Sequence, residues 1–503
     1  MKSKLLIIFS SLFLISINAF AQYPEDALRL AEGGYGVSAK SVAMGNAMIG
    51  LAQGFDATYF NPAGLAQSRQ SQVQMGLNFL GYTDNSTYLG NSNSLSSSQT
   101  DLSSLGLVYP FPTTRGSFVI AFGYNHGPDY NAALAVSGYN PNSSIIPSLY
   151  YPGDTLADIA YMDFLENTSQ QPYINGNVNQ SGNVFVSGGL SNWLASAGLD
   201  IAPDFSLGLT INLISGQYKY VQNFQENGVS GNNYNSTYFT SFALKNEDNQ
   251  SISGWNAKLG MMYRVLDSGG NTIARFGATV EFPTLLTVND NFSSNGTASF
   301  AAGPLGPAGS YSYATSNGYG ENESPYPGPT LQYDVTTPFK LGFGVSGGTP
   351  QLQAAADIQY VDWTELSFSN FNLPSNQSPA GDLNGQIKQQ YRPTTSIRAG
   401  VEYALTNPNY SLLVPYLRAG VGYLPSPYSG DGSAQAQKLV SGGLGVKIQN
   451  TIEIDVAYQY DYWNTTSQLY PSTVINGITY ASQSTSNEKI TNTNFLFTFK
   501  YDF

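Results

Sequence analysis

The chain has 503 residues, of which 41% are hydrophobic and only 11% charged, with a formal net charge of −13. An average soluble domain carries ~25% charged residues, so the chain is poorly suited to facing water on every side, and its acidic balance argues against nucleic acid or anionic lipid as a partner. With no cysteine and a single histidine, His126, multi-histidine zinc sites, cysteine nucleophiles and most triads are excluded, and disulfides contribute nothing to stability.

In chain order, Lys2 and Lys4 precede an apolar run from Leu5 to Ile17 and then Ala19-Phe20-Ala21. This pattern predicts a secretory signal over residues 1–21, cut after Ala21. No later stretch reaches the ~18 apolar residues a membrane helix needs. Residues 22–70 show no period-two alternation but include Met44, Met48, Leu51, Phe55, Phe60 and Leu65. That is too apolar for a disordered tail.

From Val73 onward the sequence alternates with period two, the spacing of a strand with unlike faces. Val73/Met75/Leu77/Phe79, Phe118/Ile120/Phe122/Tyr124, Leu207/Leu209/Ile211/Leu213 and Ile452/Ile454/Val456/Tyr458 are clear cases. With weaker segments near 103–110, 194–201 and 439–448, the count is about 14 strands; Val184 to Leu190 reads as an extra half-strand. Connections alternate between short turns, as at 112–115 and 449–450, and long Ser/Asn-rich stretches, as at 82–102, 126–181 and 223–252. Short turns at one end and long loops at the other mark outer-membrane barrels. Charged strand residues, among them Lys258, Arg264, Arg418, Glu281 and Glu402, fall opposite the apolar set, which predicts ion pairs inside the wall. The expected fold is an all-β, transmembrane antiparallel β-barrel of about 14 strands over 71–503. Such a barrel is too wide to be filled by its own side chains, and residues 22–70 are long enough to fold back as a plug, or hatch.

The last strand places Phe495, Phe497, Phe499, Tyr501 and Phe503 on one face. Facing lipid, these aromatics are stable; on an exposed edge they would aggregate. Bacterial outer-membrane barrels typically end on an aromatic residue, and the chain is similar to them here. Phe499, Tyr501 and Phe503 are therefore expected to serve insertion and closure, with membrane lipid and the barrel-assembly machinery as partners. His126 is expected in or beside a surface loop. The glycines Gly342, Gly344 and Gly347 match a dinucleotide pattern but precede a strand, not a helix. No catalytic constellation is present, so the expectation is a non-enzyme without cofactor or metal.

The stretch Gly36-Val-Ser-Ala-Lys-Ser-Val-Ala-Met-Gly-Asn-Ala-Met48, then Ala52, Asp56 and Asn61-Pro62-Ala63-Gly64-Leu65, resembles the N-terminal plug of the FadL/TodX family. Those are outer-membrane transporters of long-chain fatty acids and aromatic hydrocarbons. Ser253 to Gly260, Asp357 to Trp363 and Leu417 to Tyr423 are further echoes. The resemblance implies passive uptake of a hydrophobic ligand: capture by outer loops, a pocket beside the plug, and exit sideways through the wall. It makes Gly45, Asn46, Asn61, Pro62, Ala63 and Gly64 candidates for the ligand path. A lateral exit needs a kink where Gly or Pro interrupts a ladder, for which Gly182, Gly188 and Gly189 are candidates. The alternatives are an outer-membrane partner of a protein-secretion machine and a general porin.

Overall fold

The computed structural model describes residues 23–151, 154–229, 238–268, 272–301, 308–373 and 378–503; the signal expected over 1–21 lies outside them. Fourteen strands form the wall: β1 (Gln72–Tyr88), β2 (Asn91–Phe111), β3 (Phe118–Asp129), β4 (Val178–Ala202), β5 (Phe205–Gly228), β6 (Phe239–Leu266) and β7 (Thr272–Glu281), then β8 (Lys340–Gly348), β9 (Leu352–Asp362), β10 (Pro393–Ala404), β11 (Leu413–Leu424), β12 (Gln437–Ile448), β13 (Ile452–Gln468) and β14 (Thr485–Asp502). Each pairs antiparallel with the next, and β14 returns to β1, matching Val73 with Tyr501 and Phe79 with Phe495. The barrel is closed, so the wall has no edge strand. All fourteen segments expected from alternation are among these strands. No described helix is long and apolar enough to cross a membrane.

Outside, the wall has two zones. Near the short turns the outward residues are apolar and exposed, including Met75, Phe79, Leu209, Leu213 and Phe499. This is the belt a lipid-facing barrel presents. Farther out the outward positions become Thr83, Asn85 and Thr87 on β1 and Thr491, Lys489 and Asn487 on β14, yet the ladder continues. The β1–β2 hairpin stays paired to Tyr88 and Asn91, and β5–β6 to Asn227 and Ser241. The long loops expected at 82–102 and 223–252 are therefore largely ladder. Ser, Thr and Asn occupy both faces there, which erases the alternation, while hydroxyl pairs such as Thr83 Oγ1 with Ser96 Oγ (2.9 Å) join neighbouring strands.

Two further differences concern the region after β3. Val184 to Leu190 is the middle of β4, not a separate half-strand. The additional strand is Ala132–Asn140, which pairs with the outer half of β4 through Ala132 and Val186. It also lies against inward positions of β2, where Ser137 Oγ donates to Asn93 Oδ1 at 2.9 Å.

Residues 23–70 form α1 (Pro24–Ala31), α2 (Ala39–Ala43), α3 (Asp56–Phe60) and a 3₁₀ turn, Pro62–Gln67. The chain folds this way because Ser38 caps α2 by accepting from Ser41 N, and Asn61 caps the turn by accepting from Ala63 N, with Pro62 at its first position. The segment touches inward residues on opposite sides of the ring: α2 against β11–β14, and the 3₁₀ turn against β3–β6. Inward glycines make room for its backbone. A Cβ at Gly400 would lie 2.3 Å from Met44 O, and one at Gly208 would lie 2.2 Å from the Pro62 carbonyl carbon.

Charge fixes the first of these sides. Lys500 meets Asp56 at 3.0 Å and Lys40 meets Glu402 at 3.0 Å, while Arg418 holds Glu402 (2.5 Å), Asp455 (2.5 Å) and Glu453 (3.2 Å). Lys258–Glu281 (2.8 Å) and Arg264–Asp200 (2.8 Å) continue the inward pairing expected from strand phase.

Candidate functional site

The N-terminal segment leaves a cavity of about 480 Å³ between itself and the wall. Leu28, Leu30 and Ile49 of the segment line it together with Leu190, Ile214 and Trp363 of the wall region. These apolar surfaces are interrupted by the Lys258–Glu281–Lys340 cluster, in which Lys340 lies 3.4 Å from Glu281, and by Arg398, which donates one long hydrogen bond (3.5 Å) to Gln359. Glu32 faces the cavity and is open to its space, yet the barrel encloses it. That enclosure pushes its carboxyl up to about 7, against the opposing pull of Arg29 and Lys340. Above the cavity, α1 packs Leu28 and Leu30 into a cluster with Tyr333, Phe368 and Ile387; Ile387 belongs to α4 (Ala380–Gln390). Arg29 lies 3.4 Å above the Tyr218 ring and pairs with Asp26 at 2.9 Å, which pins α1 to β5. An apolar molecule with a small polar or anionic end fits this mixture.

The cavity reaches the wall at one irregularity. The β2–β3 ladder ends at Ser104 and Asn125, and the β3–β4 ladder jumps from the pair His126–Ser191 to the pair Asp129–Gly189. Gly127 and Pro128 lie between; Pro128 has no N–H to donate, and both residues line the cavity. Across from them Gly188 has φ = 105°, a conformation that favours glycine. From inside, Gly34 closes the gap: a Cβ there would come 2.7 Å from Gly127 O. On the outer face of the same strands lies an apolar groove of about 760 Å³, lined by Leu105, Leu107, Phe122, Trp193, Ile211 and Leu213. Trp193 packs edge-on against Tyr124 at 5.4 Å, just before the irregularity.

The chain matches no protein-family model and no curated protein. Solved structures are similar over almost its whole length. The Pseudomonas putida toluene transporter TodX aligns with a TM-score of 0.51 and 15% identity, over 93% of this chain and 99% of its own. A Pseudomonas aeruginosa FadL homologue aligns with a TM-score of 0.51 and 13% identity, over 94% and 99%. The fold is that of the FadL/TodX barrels. At such identities the likeness is one of architecture, and the residues must be read from their own surroundings.

Within this FadL/TodX fold the sequence-predicted residues take different places. Asn46, with φ = 59°, lines the cavity and donates from Nδ2 to Tyr35 O at 3.1 Å. Gly45, with φ = 63°, presses on the wall backbone at Val421. Asn61 is fully buried and donates to Ile49 O (2.9 Å) and Met261 O (3.0 Å). Pro62 and Ala63 lie against Gly208, and a Cβ at Gly64 would meet Ala52 O at 2.1 Å. All six thus touch backbone of the wall or of the N-terminal segment, and Asn46 alone among them lines the cavity. Of the expected kink glycines, Gly188 and Gly189 sit at the irregularity, whereas Gly182 pairs regularly with Val136 and Phe224. Phe499, Tyr501 and Phe503 are exposed outward, and Phe503 exchanges two backbone hydrogen bonds with Ser71 (2.9 and 3.1 Å).

His126 is not a surface loop residue: its side chain is only 10% exposed, at the end of β3. The reason is that β3 leaves the ladder there and the outer half of β2 covers it. Gly127-Pro128 was missed by periodicity, though a Gly-Pro pair directly after a strand is a breaker signal in its own right.

Proposed function

We propose that the chain is an outer-membrane channel for uptake of hydrophobic small molecules, aromatic hydrocarbons or long-chain fatty acids, with residues 23–70 as its plug. The observation that carries this reading is the cavity's contact with the wall at Gly127-Pro128, where the ladder is interrupted and Gly34 stands in the way. On this reading the ligand enters from the polar outer wall and loses its water in the cavity. Withdrawal of Gly33-Gly34 then lets it pass sideways towards the apolar groove beside Trp193. A one-ring hydrocarbon burying about 150 Å² gains ~4 kcal/mol. Less the cost of association, that leaves at most roughly millimolar affinity, weak enough to release the ligand. For a fatty acid, Arg398 and Lys340 are the cations that would meet its carboxylate. TodX is described as a toluene transporter, which agrees with the apolar share of this lining. Phe499, Tyr501 and Phe503 are assigned to insertion, contacting lipid and the assembly machinery.

The test is retention of labelled toluene or palmitate by the purified chain, with and without residues 23–70. The expected result is retention by the full chain, its loss on deletion, and an ion-conducting pore in its place. Equal retention by both forms contradicts the proposal.

A further inference from the structure

Among the described residues one cluster has metal-ligand composition: Asp101, His126 and Asp129 each offer a donor atom within 4.8 Å of the other two. Three features set it apart from ordinary acidic surface. First, the groups are enclosed: the His126 and Asp129 side chains are 10% and 3% exposed. Second, Asp101 Oδ2, His126 Nε2 and Asp129 Oδ2 are all buried without a hydrogen-bond partner, an arrangement that native interiors seldom leave unexplained. His126 Nε2 and Asp129 Oδ2 are 3.7 Å apart, too far to bond each other. Third, irregularities in the backbone bring them together. On β2 a bulge at Ser103 shifts the register, so that Asp101 shares the inward face of its partner Asn78. On β3, His126 lies just past the last β2–β3 pair, Ser104–Asn125, where its imidazole comes within 4.8 Å of the Asp101 carboxylate. The Asp129 carboxylate is held by Asn131 N donating to Oδ1 at 2.7 Å, which leaves Oδ2 free for another partner.

We infer that Asp101, His126 and Asp129 form a binding site for one divalent transition-metal cation of the zinc, cobalt or nickel type. One imidazole nitrogen with two carboxylate oxygens suits such borderline ions better than magnesium or calcium, which take oxygen alone. Donors about 2.1 Å from a tetrahedral ion stand about 3.4 Å apart, a closure that small side-chain rotations supply. Water completes the coordination. The ion joins β2 to β3 just where their backbone ladder has ended at Ser104 and Asn125, and so replaces missing cross-strand bonds. This claim stands apart from the uptake reading: zinc binding can fail while ligand retention succeeds, and the reverse.

The test uses the full chain, purified in detergent without a polyhistidine tag and stripped with a chelator. Zinc is titrated by calorimetry while the proton signals of the imidazole, unique because His126 is the only histidine, are followed by NMR. The expected result is one ion per chain with a shift of those signals. Affinity should fall by more than the roughly 10–100-fold that loss of a mere outer-shell partner costs in His126→Gln and in Asp129→Asn. Folding of each variant is checked by its heat-modifiable gel mobility. Asp101→Asn, on the other strand, carries the same expectation if His126→Gln fails to fold. Absence of zinc binding, or equal affinity in wild type and the folded variants, overturns the site.

Discussion

Two contacts of the N-terminal segment with the wall are made by opposite means. Along β10–β14 the contact is ionic and tight: Lys500 on Asp56, Lys40 on Glu402, and Arg418 among three carboxylates. Ala39 N also donates to Thr498 Oγ1 at 2.8 Å. At Gly34 the contact with β3 is a bare approach of backbone to backbone, Gly34 against Gly127, over a stretch where the ladder has stopped, whereas farther along the segment the 3₁₀ turn packs against Gly198 of β4 and Thr58 Oγ1 accepts from Asn125 Nδ2 (3.4 Å). On the proposed uptake reading, the stretch around Gly34 swings while the ionic contact stays in place, the ionic contact serving as the hinge and Gly127-Pro128 as the place that opens.

The comparison breaks most directly at Arg418. Its side chain is 1% exposed, and Arg418→Met takes the ion-pair partner from Glu453 and Asp455 and leaves Glu402 with Lys40 alone. Losing one member of a buried ionic cluster costs ~3–5 kcal/mol, read as a lower denaturant midpoint in detergent, accompanied by larger ion leak. A paired glycine test sharpens it. Gly400→Ala drives a methyl against Met44 O on the clamped side and should cost ~1–3 kcal/mol by overpacking. Gly34→Ala adds the same methyl on the other side, against Gly127 O. There the segment can yield, so stability should change by less than about 1 kcal/mol while ligand release accelerates. Equal destabilisation by both would erase the difference between the sides.

The smallest effect concerns pH in the connection between the strand Ala132–Asn140 and β4, away from both contacts. Burial, then Glu321, pushes Asp163 up to about 8; burial and the adjoining Asp158 raise Glu166. Both carboxyls are raised above their unfolded values. Their contribution to stability is therefore fully present below the ordinary carboxylate range and is lost as pH rises towards 8 and beyond. After correction for the base-catalysed rise of the intrinsic rate, the protection of amides in the helical turn Ile159–Met162 should fall between pH 6 and pH 9, while that of β1–β14 stays constant. Unchanged protection of the turn across that range would count against it.

The apolar belt was legible because apolar side chains outside and polar ones inside alternate along each strand, as in Phe495 to Phe503. The outer wall was not, because water on both sides lets Ser92 to Ser98 form strand with no apolar face to announce it. The strand Ala132–Asn140 and the bulged Ser103 belong to that same silent zone. At the candidate site, Asn61-Pro62-Ala63-Gly64 stood out in the sequence because close backbone approach demands such residues; the same demand turns most of them away from the cavity. The cavity lining comes from segments as distant as Leu28 and Trp463, and no local pattern joins them. Gly188 was visible as a glycine, but its role depends on Gly127-Pro128 across the ladder.

The most direct test of the hinge-and-gate account uses the absence of native cysteine. Gly33→Cys, whose added side chain meets open space, and Pro128→Cys, which lines the same cavity, are tied together in the closed state by a short bifunctional thiol reagent with a reducible bond. In liposomes carrying the linked double variant, hydrocarbon uptake should fall at least about tenfold and return on reduction. Uptake by the linked form at the rate of the reduced one would contradict passage at Gly127-Pro128.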